Sequence, residues 1–347
     1  MRAVLFHEFG RLPTIAEVST PACPPAGAVI RVRATGLCRS DWHGWMGHDD
    51  GIRLPHVPGH ELAGVIEELG PRANRAGAWK VGDRVTVPFV CACGRCEQCA
   101  AGNHQVCDHQ EQPGFTHWGS FAEFVAIAEA DTNLIALPDA LDFVSAAALG
   151  CRFATAYRAV MTQGRVRENE WVAVHGCGGV GLSAIMIAAA AGARVVAVDV
   201  SADALAIAEE LGATGVLGTA DVASAVREVT GGGAHLSLDA YGSRATSENS
   251  IRSLRKRGRH VQVGLMLGDN ANAPVPMDLV IAHELGILGS HGMAAHEYPA
   301  MLERIADGRI DPRLLVGRTI GLDDAPKALA TMDASAHPGM TVIELPA

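Results

Sequence analysis

The chain has 347 residues, 48% of them apolar, and a formal net charge of −10. That length and apolar content suffice to bury the cores of two domains. The acidic balance and scattered basic residues leave no electrostatic footprint for nucleic acid, and the longest apolar run, Val180 to Ala191, falls short of the roughly 20 residues that span a bilayer.

The opening MRAVLFHEFG lacks the charged start, apolar run and cleavage site of a secretory signal. A cytoplasmic protein without a membrane anchor is expected. As far as residue 150, Gly and Pro break the sequence into short alternating runs at 29–35, 61–70 and 80–89, which read as strands of an irregular, mostly antiparallel sheet.

Within this region CACGRCEQCAAGNHQVC, residues 91–107, gathers five of the nine cysteines. A disulfide knot, a redox thiol pair and a metal site are the possible uses. A reducing compartment disfavours disulfides, and an odd total cannot pair fully. Cys93, Cys96, Cys99 and Cys107 follow C-x2-C-x2-C-x7-C, so four thiolates on one loop can close a tetrahedron around Zn(II) and leave no place for water. An iron–sulfur cluster is the competing use of four clustered thiolates. Cys91 reads as a strand-end thiol without ligand duty.

From about 151 the texture changes. An Ala-rich helical stretch, SAAALGCRFATAYRAVM, leads into WVAVHG, and strand-like and helical segments then alternate through RVVAVDV, ADALAIAEELG, GVLG, HLSLDAYG and HVQVGLM. Such short unbroken apolar runs are typical of parallel strands buried on both faces, and the rhythm predicts a doubly wound parallel sheet. A helix is expected to run to Arg257, with the basic segment 252–260 forming its solvated end and a turn at Gly258. After Gly289 a helix at 296–307 and the segment MTVIEL return to mixed character.

WVAVH runs into Gly176-Cys177-Gly178-Gly179-Val180-Gly181 and then a helix, and the next strand ends at Asp199. A lone GxGxxG is weak evidence, but strand before, helix after and a carboxylate at the following strand end are the context of a dinucleotide site. Its glycines admit a tight turn and close approach of a pyrophosphate to a helix N-terminus. Asp199 can accept from both ribose hydroxyls and would repel a 2′-phosphate. Val200-Ser201-Ala202 offer no cation to welcome one, so NAD is expected over NADP.

A second set of donors is dispersed: Cys38 in GLCRSDWH, His60 and Glu61 in PGHE, and Cys151 in GCRFATAY. Spacing alone cannot join them. In these motifs, the cysteine loop and GCGGVG, taken in order over nearly the whole chain, the sequence resembles the zinc-dependent alcohol dehydrogenases of the medium-chain dehydrogenase/reductase superfamily. The resemblance implies an α/β protein with a GroES-like, mostly-β catalytic domain at 1–152, carrying the cysteine lobe at about 91–108. A Rossmann NAD-binding domain at 153–289 would come next, with 290–347 returning to the catalytic domain.

Residue by residue, the resemblance implies Cys38, His60 and Cys151 as catalytic zinc ligands, with Glu61 as a nearby acid that can exchange onto the metal and Asp41 orienting the His60 imidazole. Ser40 and His43 match a proton relay, Arg39 a pyrophosphate contact, and Thr155 a residue beside the nicotinamide. Val263 and Gly264, ending HVQVG, complete the cofactor set, and Phe89 and Trp118 are candidate pocket walls. Two Zn(II) per chain, NAD, an alcohol or aldehyde substrate and a homotetramer, or else a homodimer, are the resulting expectations. Met340 stands where the family often has a pyrophosphate-binding Arg, and no basic residue follows Asp199 through Ala204, so adenosine-side contacts are thin. A polyol dehydrogenase, a reductase of activated C=C or iminium bonds, and a non-catalytic zinc- and nucleotide-binding sensor are the alternatives. Retention of Ser40 and His43 favours alcohol chemistry.

Overall fold

The computed structural model describes residues 1–75, 77–219, 221–333 and 339–346. They divide into two units. One comprises Met1–Ala154, Gly292–Asp307 and Asp311–Ala347, and the other Thr155–His291 and Gly308–Ile310. Among the described residues no helix is long and apolar enough to cross a membrane.

In the first unit the strand Ala28–Leu37 is buried along most of its length because it is paired on both edges. One edge carries Glu61–Leu69, antiparallel, and the other carries Phe124–Ile127 and Met340–Glu344, also antiparallel. The sheet continues through Arg84–Thr86 to Ile135–Ala136 and, beyond Met340–Glu344, to Val316–Gly321. Ile30, Leu62, Ile66, Phe121 and Ile127 are fully buried beneath it, each such side chain contributing roughly 1.5–3 kcal/mol. The strand expected at 80–89 is only Arg84–Thr86. Gly82 turns the chain at a φ of +91° and Pro88 removes a backbone donor.

One register in this sheet brings distant donors together. Gly36 pairs with Glu61, and Thr35 with Leu62. The end of one strand therefore delivers Cys38 beside His60, which immediately precedes the start of the other.

The second unit is a six-stranded sheet in the order Ala213–Leu217, Arg194–Asp199, Trp171–His175, Ala234–Asp239, Leu254–Gln262, Gly286–Gly289, parallel throughout. The helices Gly179–Ala190, Ala202–Glu210, Val222–Val229 and Arg244–Arg252 alternate with the strands. In sequence terms the strand order is 3-2-1-4-5-6, the doubly wound arrangement of a Rossmann domain. The strand interiors are buried, which accounts for the unbroken apolar runs.

The helix expected to reach Arg257 stops at Arg252, and residues 254–262 form a strand. Leu254 is buried and pairs with Ala234, whereas Leu236 pairs with Arg259. The basic segment between them bulges out of the ladder, with Arg257 at a φ of +60°. Burial of Leu254 in the sheet core overrides the local helical pattern.

At the carboxyl edge of this sheet Asp239 is fully buried. One oxygen accepts from the backbone N–H groups of Tyr241 and Gly242, each at 3.0 Å, and the other from Thr246 Oγ1 and Gln262 Nε2. Asp239→Ala removes the shared acceptor of four donors, of which Thr246 Oγ1 and Gln262 Nε2 also reach Ser243 C=O and Gly264 C=O. Thermal and urea unfolding should show a loss of about 3 kcal/mol, and an effect under about 0.5 kcal/mol would contradict this bonding role.

Candidate metal centres and dinucleotide loop

The cysteine lobe is built locally. Its backbone is tied down by Asn133, whose carboxamide accepts from Ala92 N–H at 2.8 Å and donates to Ala92 C=O at 3.0 Å. The Sγ atoms of Cys96 and Cys99 lie 3.4 Å apart, those of Cys96 and Cys107 3.7 Å, and those of Cys93 and Cys99 4.0 Å. These are not disulfides, for all nine cysteines are free. They match the edges of a tetrahedron, which at a Zn–S distance of about 2.3 Å measure roughly 3.8 Å. Against the upward push of burial, the backbone N–H groups of Arg95 and Cys96 and the neighbouring thiols pull Cys93 down to about 6. Burial, with the sulfurs of Cys96 and Cys107, pushes Cys99 up to about 12. The four thiols do not all ionise together unaided, so a cation that binds them must displace protons. Cys91 lies outside the quartet, buried, its thiol raised by burial and Glu111 and directed at Pro88 C=O.

The second cluster is assembled from distant segments. Cys38 caps the helix Arg39–Trp45, His60 immediately precedes the paired strand that Glu61 begins, and Cys151 sits in a π-helical turn, Leu149–Phe153, a conformation frequent at functional sites. Donor atoms of Cys38, His60, Glu61 and Cys151 all lie within 4.8 Å of one another. Asp41 organises them. Its carboxylate accepts from Cys38 N–H at 2.9 Å, Gly59 N–H at 3.1 Å and His60 Nδ1 at 2.8 Å. With Nδ1 so engaged, the other ring nitrogen, Nε2, is buried without a hydrogen-bond partner. An orphaned imidazole nitrogen among two thiols is what a zinc ion would satisfy, and a carboxylate behind the opposite nitrogen is how metal-bound histidines are usually held. Cys38 is held well below the ordinary thiol range, chiefly by its hydrogen bond with Cys151 and then by His60.

Around this cluster Ser40 Oγ lies 3.8 Å from Cys38 Sγ. His43 Nδ1 meets His48 Nδ1 at 3.0 Å, and burial, with the charges of Arg39 and His48, holds His43 below the usual histidine range. Arg39 stacks on Trp42 and pairs with Asp333 at 2.6 Å. The Phe89 ring stands 6.1 Å from the His60 ring. Trp118 donates to Pro55 C=O and packs on the core, while Phe115, on the same loop, lies closer to His60 at 5.2 Å. Met340 is buried in its strand.

Two contributors are not evident from the sequence. Phe115 has no signal beyond proximity to Trp118. Arg152 does have one: a cation directly beside Cys151 inside a largely apolar, Ala-rich stretch. It forms a buried ion pair with Glu61, whose carboxyl is pushed up by burial and drawn back by Arg152, with a net upward direction.

In the second unit, Gly176 leaves its strand at a φ of +94°, and a Cβ on Gly181 would lie 1.8 Å from Gly176 O. The loop through Gly178, Gly179 and Val180 therefore folds against the first helical turn as close packing requires. Asp199 ends the neighbouring strand, its carboxylate accepting from Cys177 N–H at 2.6 Å and Ser201 N–H at 2.9 Å. Val263 and Gly264 N–H both donate to Asp239 C=O, at the same sheet edge. Thr155 is buried at the start of the unit.

The chain is similar to known proteins over nearly its whole length. Residues 24–139 match the alcohol dehydrogenase GroES-like domain and residues 179–307 the zinc-binding dehydrogenase domain. An alcohol dehydrogenase of Geobacillus stearothermophilus is 34% identical over 316 residues, covering 89% of this chain and 90% of its own. The solved structure of alcohol dehydrogenase TADH from Thermus sp. ATN1 superposes with a TM-score of 0.91 at 31% identity, covering all of both chains. An NAD-dependent alcohol dehydrogenase structure gives 0.89 at 30% identity, again over all of both chains.

The glycine loop yields a paired expectation. A Cβ at Gly178 meets nothing within 4 Å, and in a dinucleotide-binding loop of this pattern that space is where a pyrophosphate would approach. Gly178→Ala should leave the melting temperature unchanged and weaken binding of a nicotinamide dinucleotide roughly tenfold by fluorescence titration. Gly181→Ala should lower both. Equal behaviour of the two variants would refute this division of labour.

Proposed function

The chain belongs to the zinc-dependent alcohol dehydrogenases of the medium-chain dehydrogenase/reductase superfamily, and from that membership we propose that it interconverts a primary or secondary alcohol and its aldehyde or ketone, with NAD as hydride acceptor. The carrying observation is the orphaned Nε2 of His60, buried beside the thiols of Cys38 and Cys151 while Asp41 holds its other nitrogen. These three residues would hold a catalytic zinc, and Cys93, Cys96, Cys99 and Cys107 a structural one, two per chain. Zinc held by three ligands supplies Lewis acidity that lowers an alcohol's O–H pKa, and the nicotinamide accepts the hydride.

The chain's own residues do the rest. Ser40, within 3.8 Å of the Cys38 sulfur, takes up the hydroxyl proton and passes it towards His43, which leads it to solvent. Phe89, Phe115 and Trp118 wall an apolar approach to the reacting carbon. Residues 1–152 and 290–347 serve as the catalytic domain and 153–289 as the NAD-binding domain. There the glycine loop seats the pyrophosphate, and Thr155, Val263 and Gly264 border the nicotinamide side. The Asp199 carboxylate, fixed by two backbone N–H groups, accepts from the ribose hydroxyls and opposes a 2′-phosphate. A homotetramer in the cytoplasm completes the reading.

Purified, zinc-replete protein should reduce NAD with members of an alcohol panel, and inactivity across alcohols and aldehydes would sink the proposal. In the same assay kcat/KM with NAD should exceed that with NADP by roughly a hundredfold, worth about 2.7 kcal/mol. Asp199→Ser should erase most of that preference; an unchanged ratio would show that Asp199 is not its source. Ser40→Ala should lower kcat about a hundredfold with the zinc content intact, whereas near wild-type turnover would remove Ser40 from the proton path.

A further inference from the structure

The dispersed cluster offers four donors, since a Glu61 oxygen lies within 4.8 Å of those of Cys38, His60 and Cys151. If all four bound one zinc, the tetrahedron would close as four thiolates would close it in the cysteine lobe, and nothing could enter. Arg152 separates the two outcomes. Its backbone N–H and Nε donate to Glu61 Oε1, each at 3.0 Å, and its Nη2 donates to Oε2 at 2.5 Å. Both carboxylate oxygens are thus engaged, and both residues are buried.

Gly36 gives an independent mark of the same arrangement. A Cβ there would fall 2.2 Å from Glu61 Oε2 and 2.9 Å from Arg152 Nη2. The strand partner of Glu61 lacks a side chain where the ion pair needs the room.

We propose that Arg152 is a positioning residue that holds Glu61 off the metal and so keeps the fourth position of the Cys38–His60–Cys151 centre open. The proposal rests on the reading of this cluster as a zinc centre. Without the guanidinium, Glu61 is a buried carboxylate whose nearest cation is the metal, and a buried charge left unpaired is strongly unfavourable. A change of side-chain rotamer then makes it the fourth ligand, and the centre becomes closed.

The test uses the full-length protein loaded with Co(II), whose visible absorption reports coordination, titrated with imidazole as a small exogenous ligand. A closed four-thiolate lobe does not respond to imidazole, so the difference spectrum reports the other centre. Wild type should bind imidazole saturably. Arg152→Met, similar in length and uncharged, should bind it at least tenfold more weakly and lose cobalt to a chelator more slowly. Arg152→Lys should fall between. The double variant Arg152→Met with Glu61→Gln should regain affinity to within about threefold of wild type, which a merely structural role of Arg152 does not predict. Wild-type imidazole affinity in cobalt-loaded Arg152→Met, or no recovery in the double variant, overturns the proposal. Should Arg152→Met not fold, Glu61→Gln alone decides. Its resting cobalt spectrum should equal that of wild type, and a shifted spectrum means that Glu61 already ligates and the proposal is wrong. A wild-type cobalt spectrum unaffected by Cys38→Ser would instead refute the metal centre itself.

Discussion

The Asp41 carboxylate is the contact on which the candidate active site depends. It is buried and accepts three hydrogen bonds, from Cys38 N–H, Gly59 N–H and His60 Nδ1. The first two pin the ends of the segments that carry ligands. The third chooses the tautomer of His60 and leaves Nε2 to face the thiols. Local sequence makes this possible, because Asp41 is the third residue of the helix Arg39–Trp45 and can reach back to the residue that caps it. Long-range pairing completes it, because the register of Gly36 with Glu61 brings His60 alongside.

Loaded with zinc, the two sulfur-rich clusters would differ in charge as well as in origin. Four thiolates around Zn(II) carry a net charge of −2, which satisfies the ion and quenches its pull on anything else. Two thiolates and a neutral imidazole leave the charge at zero and the ion more electrophilic. A fourth, anionic ligand would undo that difference, and Glu61 is near enough to become one. Its capture by Arg152 therefore separates a staple from a reactive centre. The cysteine lobe, formed within seventeen residues and tied to Asn133, has no comparable need.

How far each feature is legible in the sequence depends on the range of the interactions that form it. The lobe and the glycine loop are short-range motifs, whose residue types and spacing already contain their geometry. The parallel sheet is legible for a related reason, since burial on both faces leaves unbroken apolar runs such as WVAVH. By contrast, the union of Cys38, His60 and Cys151 depends on strand register and on a π-helical turn, neither of which has a spacing rule, and only family resemblance joins them. Arg152 and Phe115 stay hidden because their partners are distant in sequence, and the helix expected through Arg257 gives way to the burial of Leu254. Asp199 stands out by its place at a strand end after the glycine-rich turn, whereas Asp239, equally engaged in hydrogen bonds, sits in an ordinary-looking HLSLDAYG.

The central claim, that one chain carries a closed sulfur-only zinc and an open mixed-ligand zinc, is tested most directly by metal analysis with zinc-edge X-ray absorption on wild type and on the double variant Cys38→Ala with His60→Ala. Wild type should hold about two zinc ions per chain, with both sulfur and nitrogen or oxygen in the averaged shell. The variant should retain about one, surrounded by sulfur alone at about 2.3 Å, and should oxidise no alcohol. Retention of both ions, or persistence of nitrogen or oxygen scattering in the variant, would contradict the claim.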